Sequence, residues 1–195
     1  MGKVIAEFTM SLDGFIADPD DDVGRLFKWY VSGDTPLRVA ATDRPFRVSA
    51  ASAELLQSLW GSIGATVTGR RDFDVSRAWG GTSPVGEHTF IVTHHVPQEW
   101  AKPEYPFTFV TDGVESALRQ AQQVAGEKRV VMSGSKVVQQ ALNAGLVDEI
   151  QIDLAHMLLG SGIRLFENLE RVTELESTGI VEGMGVTHLQ YRVIK

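Results

Sequence analysis

The chain has 195 residues, enough for one domain with a sizeable core, and its 43% hydrophobic and 22% charged content is that of an ordinary globular protein. A net charge of −7 and a pI near 5.2 argue against nucleic acid or an anionic membrane as partner, because both favour a basic surface. With no cysteine, disulfides, thiolate nucleophiles and cysteine-bound metals are excluded.

Residues 3–10 are rich in β-formers and predict a first strand, and "SLDGFIADPDDDVG" (11–24) is a turn-rich segment. Lys3 and Glu7 interrupt the apolar run that a signal peptide would need, and no stretch is long and apolar enough to span a bilayer. A soluble, cytoplasmic protein is expected. From 19 to 48 periodicity fades. "RLFKWYV" suits a short helix, and the following "SGDTPLRVAATDRPFRVS" reads as a long excursion, so 19–48 is taken as an insertion within a single 1–195 domain.

Helical spacing returns at 49–62, where Leu55, Leu56, Leu59 and Trp60 follow a serine cap. A strand at 65–69, a short helix in "RRDFDVSRAW", and strands at 88–95 and 107–111 come next. Asp112 is placed to cap a helix running to about Ala125. A strand at 129–132 leads into a helix at 135–144, "VDEIQIDLAHMLL" forms another strand, and two segments around Gly183–Gly185 close the chain as a hairpin. This order predicts an α/β fold: a mostly parallel central sheet flanked by helices, with a C-terminal antiparallel hairpin.

In such sheets, ligands bind at the carboxyl ends of strands, where helix N-termini present unpaired amides. Two strand-to-helix turns carry residues suited to an anion. In "TVTGRRDF", Gly69 allows close approach and Arg70 and Arg71 supply fixed positive charge. In "VMSGSKVV", Ser133, Gly134 and Ser135 are small, and Lys136 opposes the helix dipole unless an anion offsets it. Thr93, His94 and His95 follow a third strand end. Three polar turns on one edge suit a dinucleotide, although neither GxGxxG nor a P-loop is present. No spacing supports a metal site. No GxSxG elbow marks a hydrolase, which tells against a hydrolase or transferase reading.

The segments "TMSLDGFIA", "TGRRDF", "SGSKVVQQAL" and "AGLVDEIQIDLAHMLLGSGIRLF" resemble, in this order, the motifs of the dihydrofolate-reductase-like superfamily. The nearest branch is the reductase domain at the C-terminus of the riboflavin-biosynthesis protein RibD, with its stand-alone relatives. The resemblance implies an NADPH-dependent reductase of a small planar heterocycle, pyrimidine- or pterin-like and of the 5-amino-6-(5-phosphoribosylamino)uracil reductase type, and a homodimer. By the same resemblance, Gly69, Arg70 and Arg71 hold the adenosine-side phosphates. Thr93 and His94 help receive the 2′-phosphate, and Ser133, Gly134, Ser135, Lys136 and Val137 cradle the pyrophosphate and nicotinamide ribose. Ser11 and Asp13 fall beside nicotinamide and substrate. From the residues themselves, Asp13 is expected to orient or protonate the substrate, and Trp29 and Tyr30 from the insertion to stack on its planar ring. The family's triple glycine is Ser-Gly-Ser here, and Asp72 stands where its charge would oppose a phosphate. "RLFKWY" offers no acid to protonate a pterin. These departures keep a second reading open, a nucleotide-binding protein of the same fold without catalysis.

Overall fold

The structure is a computed structural model that describes residues 2–39 and 42–195. The strands are β1 (Val4–Ser11), β2 (Phe15–Ala17), β3 (Thr35–Val39), β4 (Thr42–Val48), β5 (Ile63–Gly69), β6 (His88–Val92), β7 (Phe107–Val110), β8 (Arg129–Met132), β9 (Glu149–Ala155), β10 (Ile163–Arg164), β11 (Leu175–Gly183) and β12 (Val186–Val193). The helices are α1 (Ala50–Gly61), α2 (Arg70–Val75), α3 (Val114–Ala125) and α4 (Ser135–Asn143), with 3-10 turns at Leu26–Val31 and Arg77–Gly81.

Eight strands form one sheet in the order β11-β12-β9-β1-β8-β5-β6-β7. From β9 to β7 every pairing is parallel, whereas β12 and β11 join antiparallel. This is the expected dihydrofolate-reductase-like α/β architecture with its closing hairpin.

Alternation along β1 sorts its side chains onto two faces. Val4, Ala6 and Phe8 join a core with Ala117, Leu118 and Ala121 of α3 and Val138, Ala141 and Leu142 of α4. Ile5 points to the other face and packs with Leu59 of α1, Ile63 and Val131. Beyond Ile5 that second face turns polar, and the Leu26–Val31 turn and α1 cover it. A third cluster holds α2 in place: the buried Phe73 meets Trp79, Trp100, Phe107 and Phe109 edge-on, at centroid separations of 5.9, 6.0, 5.2 and 5.4 Å.

The structure corrects several sequence expectations. Within the 19–48 segment, the Leu26–Val31 turn precedes a separate two-stranded sheet of β3 and β4; residues 40 and 41 lie outside the described residues. The strand expected at 88–95 ends at Val92, because Thr93 closes a turn on His95. Asp112 does not cap α3. Gly113 occupies the cap position at φ 102°, a conformation open to glycine but unfavourable for aspartate. The serine cap of α1 is present, with Ser49 Oγ accepting from Ser52 N at 3.2 Å.

Candidate active site

Two of the predicted anion-binding turns lie side by side, because β5 and β8 are neighbours in the sheet. A single carboxylate joins them: Asp72 Oδ2 accepts from Thr68 Oγ1 at 2.7 Å and from Ser133 Oγ at 2.7 Å. The Asp72 carboxylate, expected to face a phosphate, is held by these two hydroxyls as a clamp between the strand ends. Gly134 has φ 82°, and a Cβ there would lie 3.1 Å from the Gly69 nitrogen and 3.4 Å from Thr68 Oγ1. The single glycine that remains between two serines thus stands where the two turns meet.

Neither α2 nor α4 has a side-chain cap, so first-turn amides at both helix starts are left for another acceptor. Lys136 is exposed at the start of α4 and Ser135 is half-buried. The side chain of Val137 is buried and belongs to the main core, which leaves only its backbone to serve a ligand.

The third turn is tied to the first. Arg70 donates from Nε to Asp74 at 2.8 Å and from Nη1 to the His95 carbonyl at 2.9 Å, which brings Arg70, Thr93 and His94 onto one edge. The Thr93 hydroxyl is spent inside its own turn, donating to the same carbonyl, while His94 is exposed. Arg71 diverges from this group and makes a paired contact with Asp21 in the 18–24 loop, at 3.0 and 2.7 Å.

Asp13 sits in a cage of donors. Its Oδ1 accepts from Leu159 N at 3.0 Å and Ser11 Oγ at 2.6 Å, and its Oδ2 accepts from Gly160 N at 2.7 Å. These bonds, led by that from Leu159, pull the carboxyl down to about 2. Such a group is ionised at neutral pH, so Asp13 orients the 157–160 loop and is no proton donor. Ser11 is fully buried, and its hydroxyl accepts from Phe15 N while donating to Asp13; it holds a turn and has no surface for substrate.

Trp29 and Tyr30 are not an open stacking platform. They stack on each other with centroids 3.8 Å apart, and Trp29 is only 2% exposed. Both lie over the polar face of the sheet.

That face holds residues that sequence reasoning missed. The last pair between β1 and β8 is Ala6 with Met132, so residues 7–11 of β1 run on past the point where β8 turns into α4. Across this flank lies the Ser133–Gly134 turn. Glu7 is the first residue beyond the pairing. Its Oε1 accepts from Trp60 Nε1 at 2.8 Å. Burial, and then the negative charge of Asp153, push its carboxyl up to about 8, the Trp60 bond only partly offsetting them. Burial raises the Tyr30 phenol too, with Asp153 and Glu7 adding to the effect.

Asp153 Oδ1 accepts from Gln151 Nε2 at 2.9 Å and lies 2.7 Å from His188 Nδ1, while His188 Nε2 lies 2.8 Å from Ser52 Oγ. Ser49 Oγ donates to Ser52 Oγ at 2.9 Å, extending the chain to the start of α1. The signal in the sequence was a set of polar residues, Glu7, Gln151 and Asp153, inside strands whose neighbours are apolar; His188, which follows Thr187, carries no such mark.

The sequence matches the family described as RibD C-terminal domain over residues 2–189. The uncharacterised protein YwjB of Bacillus subtilis is 21% identical over 189 residues, covering 97% of each chain. Among solved structures, one from Shewanella sp. PV-4, provisionally named a riboflavin biosynthesis protein, superposes with a TM-score of 0.73 at 20% identity, covering 99% of both chains. Dihydrofolate reductase from Enterococcus faecalis, solved with NADP(H), gives a TM-score of 0.62 at 16% identity, over 100% of this chain and 98% of that one. With the family match spanning nearly its whole length, this chain belongs to the RibD C-terminal domain family.

Proposed function

We propose that the protein is an NADPH-dependent reductase acting on a planar heterocycle of the pyrimidine or pterin class, with 5-amino-6-(5-phosphoribosylamino)uracil as the first candidate. The observation that carries this reading is the joined pair of uncapped helix starts at Gly69 and Gly134, bridged by Asp72, with Arg70 and Lys136 beside them. What supports a dinucleotide is that Gly134 lets the two turns meet closely, that neither helix start has a side-chain cap, and that Arg70 and Lys136 lie beside them. The amides of Ser135, Lys136 and Val137 would hold the pyrophosphate, and Arg70 with His94 the adenosine-side phosphate. When bound, the reduced nicotinamide supplies a hydride. The chain's task is to position it along the flank of β1 and to exclude water there.

Fluorescence titration with NADPH, and with NADH alongside, tests the cradle; NADPH oxidation in the presence of 5-amino-6-(5-phosphoribosylamino)uracil tests the chemistry. Absence of NADPH binding overturns the reading. The mutual stacking of Trp29 and Tyr30, which leaves neither ring free, favours the alternative of a nucleotide-binding protein without catalysis. Tight NADPH binding with no turnover of pyrimidines or pterins would establish it.

A homodimer is proposed as well. β11 forms one edge of the sheet, and Leu175, Ile180 and Met184 are exposed along its hairpin, an apolar surface next to unpaired backbone. Light scattering on the eluting protein tests it; a monomer mass at micromolar concentration refutes it.

A further inference from the structure

We infer that Glu7 is the proton donor of this site and that Asp153, held by His188 and Gln151, is the positioning residue that keeps it ready to donate. The inference rests on the reductase reading above and assigns the half of the reaction that reading leaves open. Reducing one C=N or C=O bond consumes a hydride at carbon and a proton at the adjoining heteroatom. The cofactor leaves oxidised, and the proton donor leaves as its conjugate base.

Position is the first argument. Glu7 is the residue of β1 immediately past the last pairing with β8, where the ligand-facing flank opens opposite Ser133 and Gly134. Orientation is the second. Trp60 occupies Oε1 as a donor, so the carboxyl proton resides on Oε2, which has no partner among the described residues. Glu7 is half-buried, which leaves that oxygen reachable.

Elimination is the third. Asp13 has both oxygens occupied by donors, Asp72 accepts two hydroxyls, and Asp74 is taken by Arg70. Asp153 and His188 are 1% and 0% exposed and bonded to each other. Two buried polar atoms beside this network have no partner among the described residues. Gln151, paired with Glu7 across β1 and β9, has its Oε1 unpaired, and Trp29, whose ring lies 5.4 Å from that of His188, has its Nε1 unpaired.

The groups facing Glu7 explain why it holds a proton at neutral pH. They are Asp153 on β9, His188 on β12, Tyr30 on the covering turn and Trp60 on α1; one pair along, Glu149 is neutralised by Lys3 and Arg129. Burial and the charge of Asp153 both disfavour a second carboxylate there. After donation that same repulsion draws a proton back. The chain from Asp153 through His188 and Ser52 to Ser49, half-buried at the start of α1, fixes Asp153 in place from behind.

The test compares wild type with Glu7→Gln, which keeps the acceptor for Trp60 and loses the proton. Three measurements are made: NADPH titration, NADPH oxidation with 5-amino-6-(5-phosphoribosylamino)uracil from pH 6 to 9.5, and carbon-13 NMR titration of the Glu7 carboxyl in ligand-free protein. NADPH affinity within about twofold of wild type shows that the variant is folded. Turnover should fall by roughly a hundredfold or more, as for loss of a general acid. The wild-type rate should decline above pH 8 and that decline should be missing from the residual rate of the variant. The ligand-free carboxyl should titrate near 8. An active wild type with an equally active Glu7→Gln overturns the proton-donor role alone, as does a carboxyl titrating below pH 6. Should the Gln variant not fold, Glu7→Asp takes its place, and full activity with a shifted pH profile supports the role while an unchanged profile refutes it. If wild type itself oxidises no NADPH, the functional reading fails and the role falls with it.

Discussion

Ser133 and Asp72, 61 residues apart in sequence, share a 2.7 Å hydrogen bond that fixes the distance between the two helix starts of the cradle. Asp72→Ala leaves the Thr68 hydroxyl without its acceptor and Ser133 with only Thr68 Oγ1, 3.0 Å away, a loss of about 1–3 kcal/mol. NADPH affinity should fall roughly tenfold in a fluorescence titration, with a lower melting temperature. Tighter NADPH binding on removal of this negative charge would show instead that Asp72 opposes the phosphates.

Arg70 touches both Asp74 and the His95 carbonyl, so it can exchange a protein partner for a phosphate without moving its backbone. Arg70→Ala should weaken NADPH by about 1.5–3 kcal/mol, roughly ten- to a hundredfold, and NADH far less. Parallel titrations decide the matter, since equal losses would mean that Arg70 does not read the 2′-phosphate.

The pH dependence of Asp13 follows from its lowered value. A carboxyl at about 2 in the folded chain, against 3.8 ordinarily, stabilises the fold above pH 3.8, and that contribution is lost as the pH falls through 2. Asp13→Asn should be less stable than wild type in thermal melts at pH 6. The gap should narrow between pH 4 and 2, while a gap independent of pH would remove the charged cage as its cause.

Glu7 has the opposite sign. Its folded value of about 8 lies above the ordinary 4.5, so its contribution is complete below pH 4.5 and disappears as the pH rises through 8. Glu7→Gln should gain on wild type across that window, by on the order of a few kcal/mol in denaturant unfolding. Parallel stability curves from pH 5 to 8.5 would contradict it.

Much of this arrangement is legible in the sequence, because it rests on local patterns. Periodicity places α1, α3, α4 and the strands, and the turns at Gly69 and Gly134 stand out by composition. What local patterns cannot show is which strands become neighbours. Glu7, Ser52, Asp153 and His188 come from four distant segments, and only the order β12-β9-β1 lines up Asp153 with Thr9 on one side and His188 on the other. Trp29 and Tyr30 read as a stacking platform because two aromatics on a short helix suit either a ligand or a core, and the covered polar face decided for the latter. Asp112 lost to Gly113 because backbone conformation outweighed capping preference.

The strand order has a consequence for how the chain assembles. β1 is the earliest strand in the sequence, yet both of its neighbours, β8 and β9, come from residues 129–155. During synthesis its backbone waits for strand partners more than a hundred residues away, a long loop to close before the sheet pairing compensates, and only packing such as that of Ile5 on Leu59 and Ile63 can come earlier. The flank of β1 is therefore completed only late in folding, and a nascent chain halted before β8 and β9 have emerged carries β1 as an unpaired, aggregation-prone ribbon.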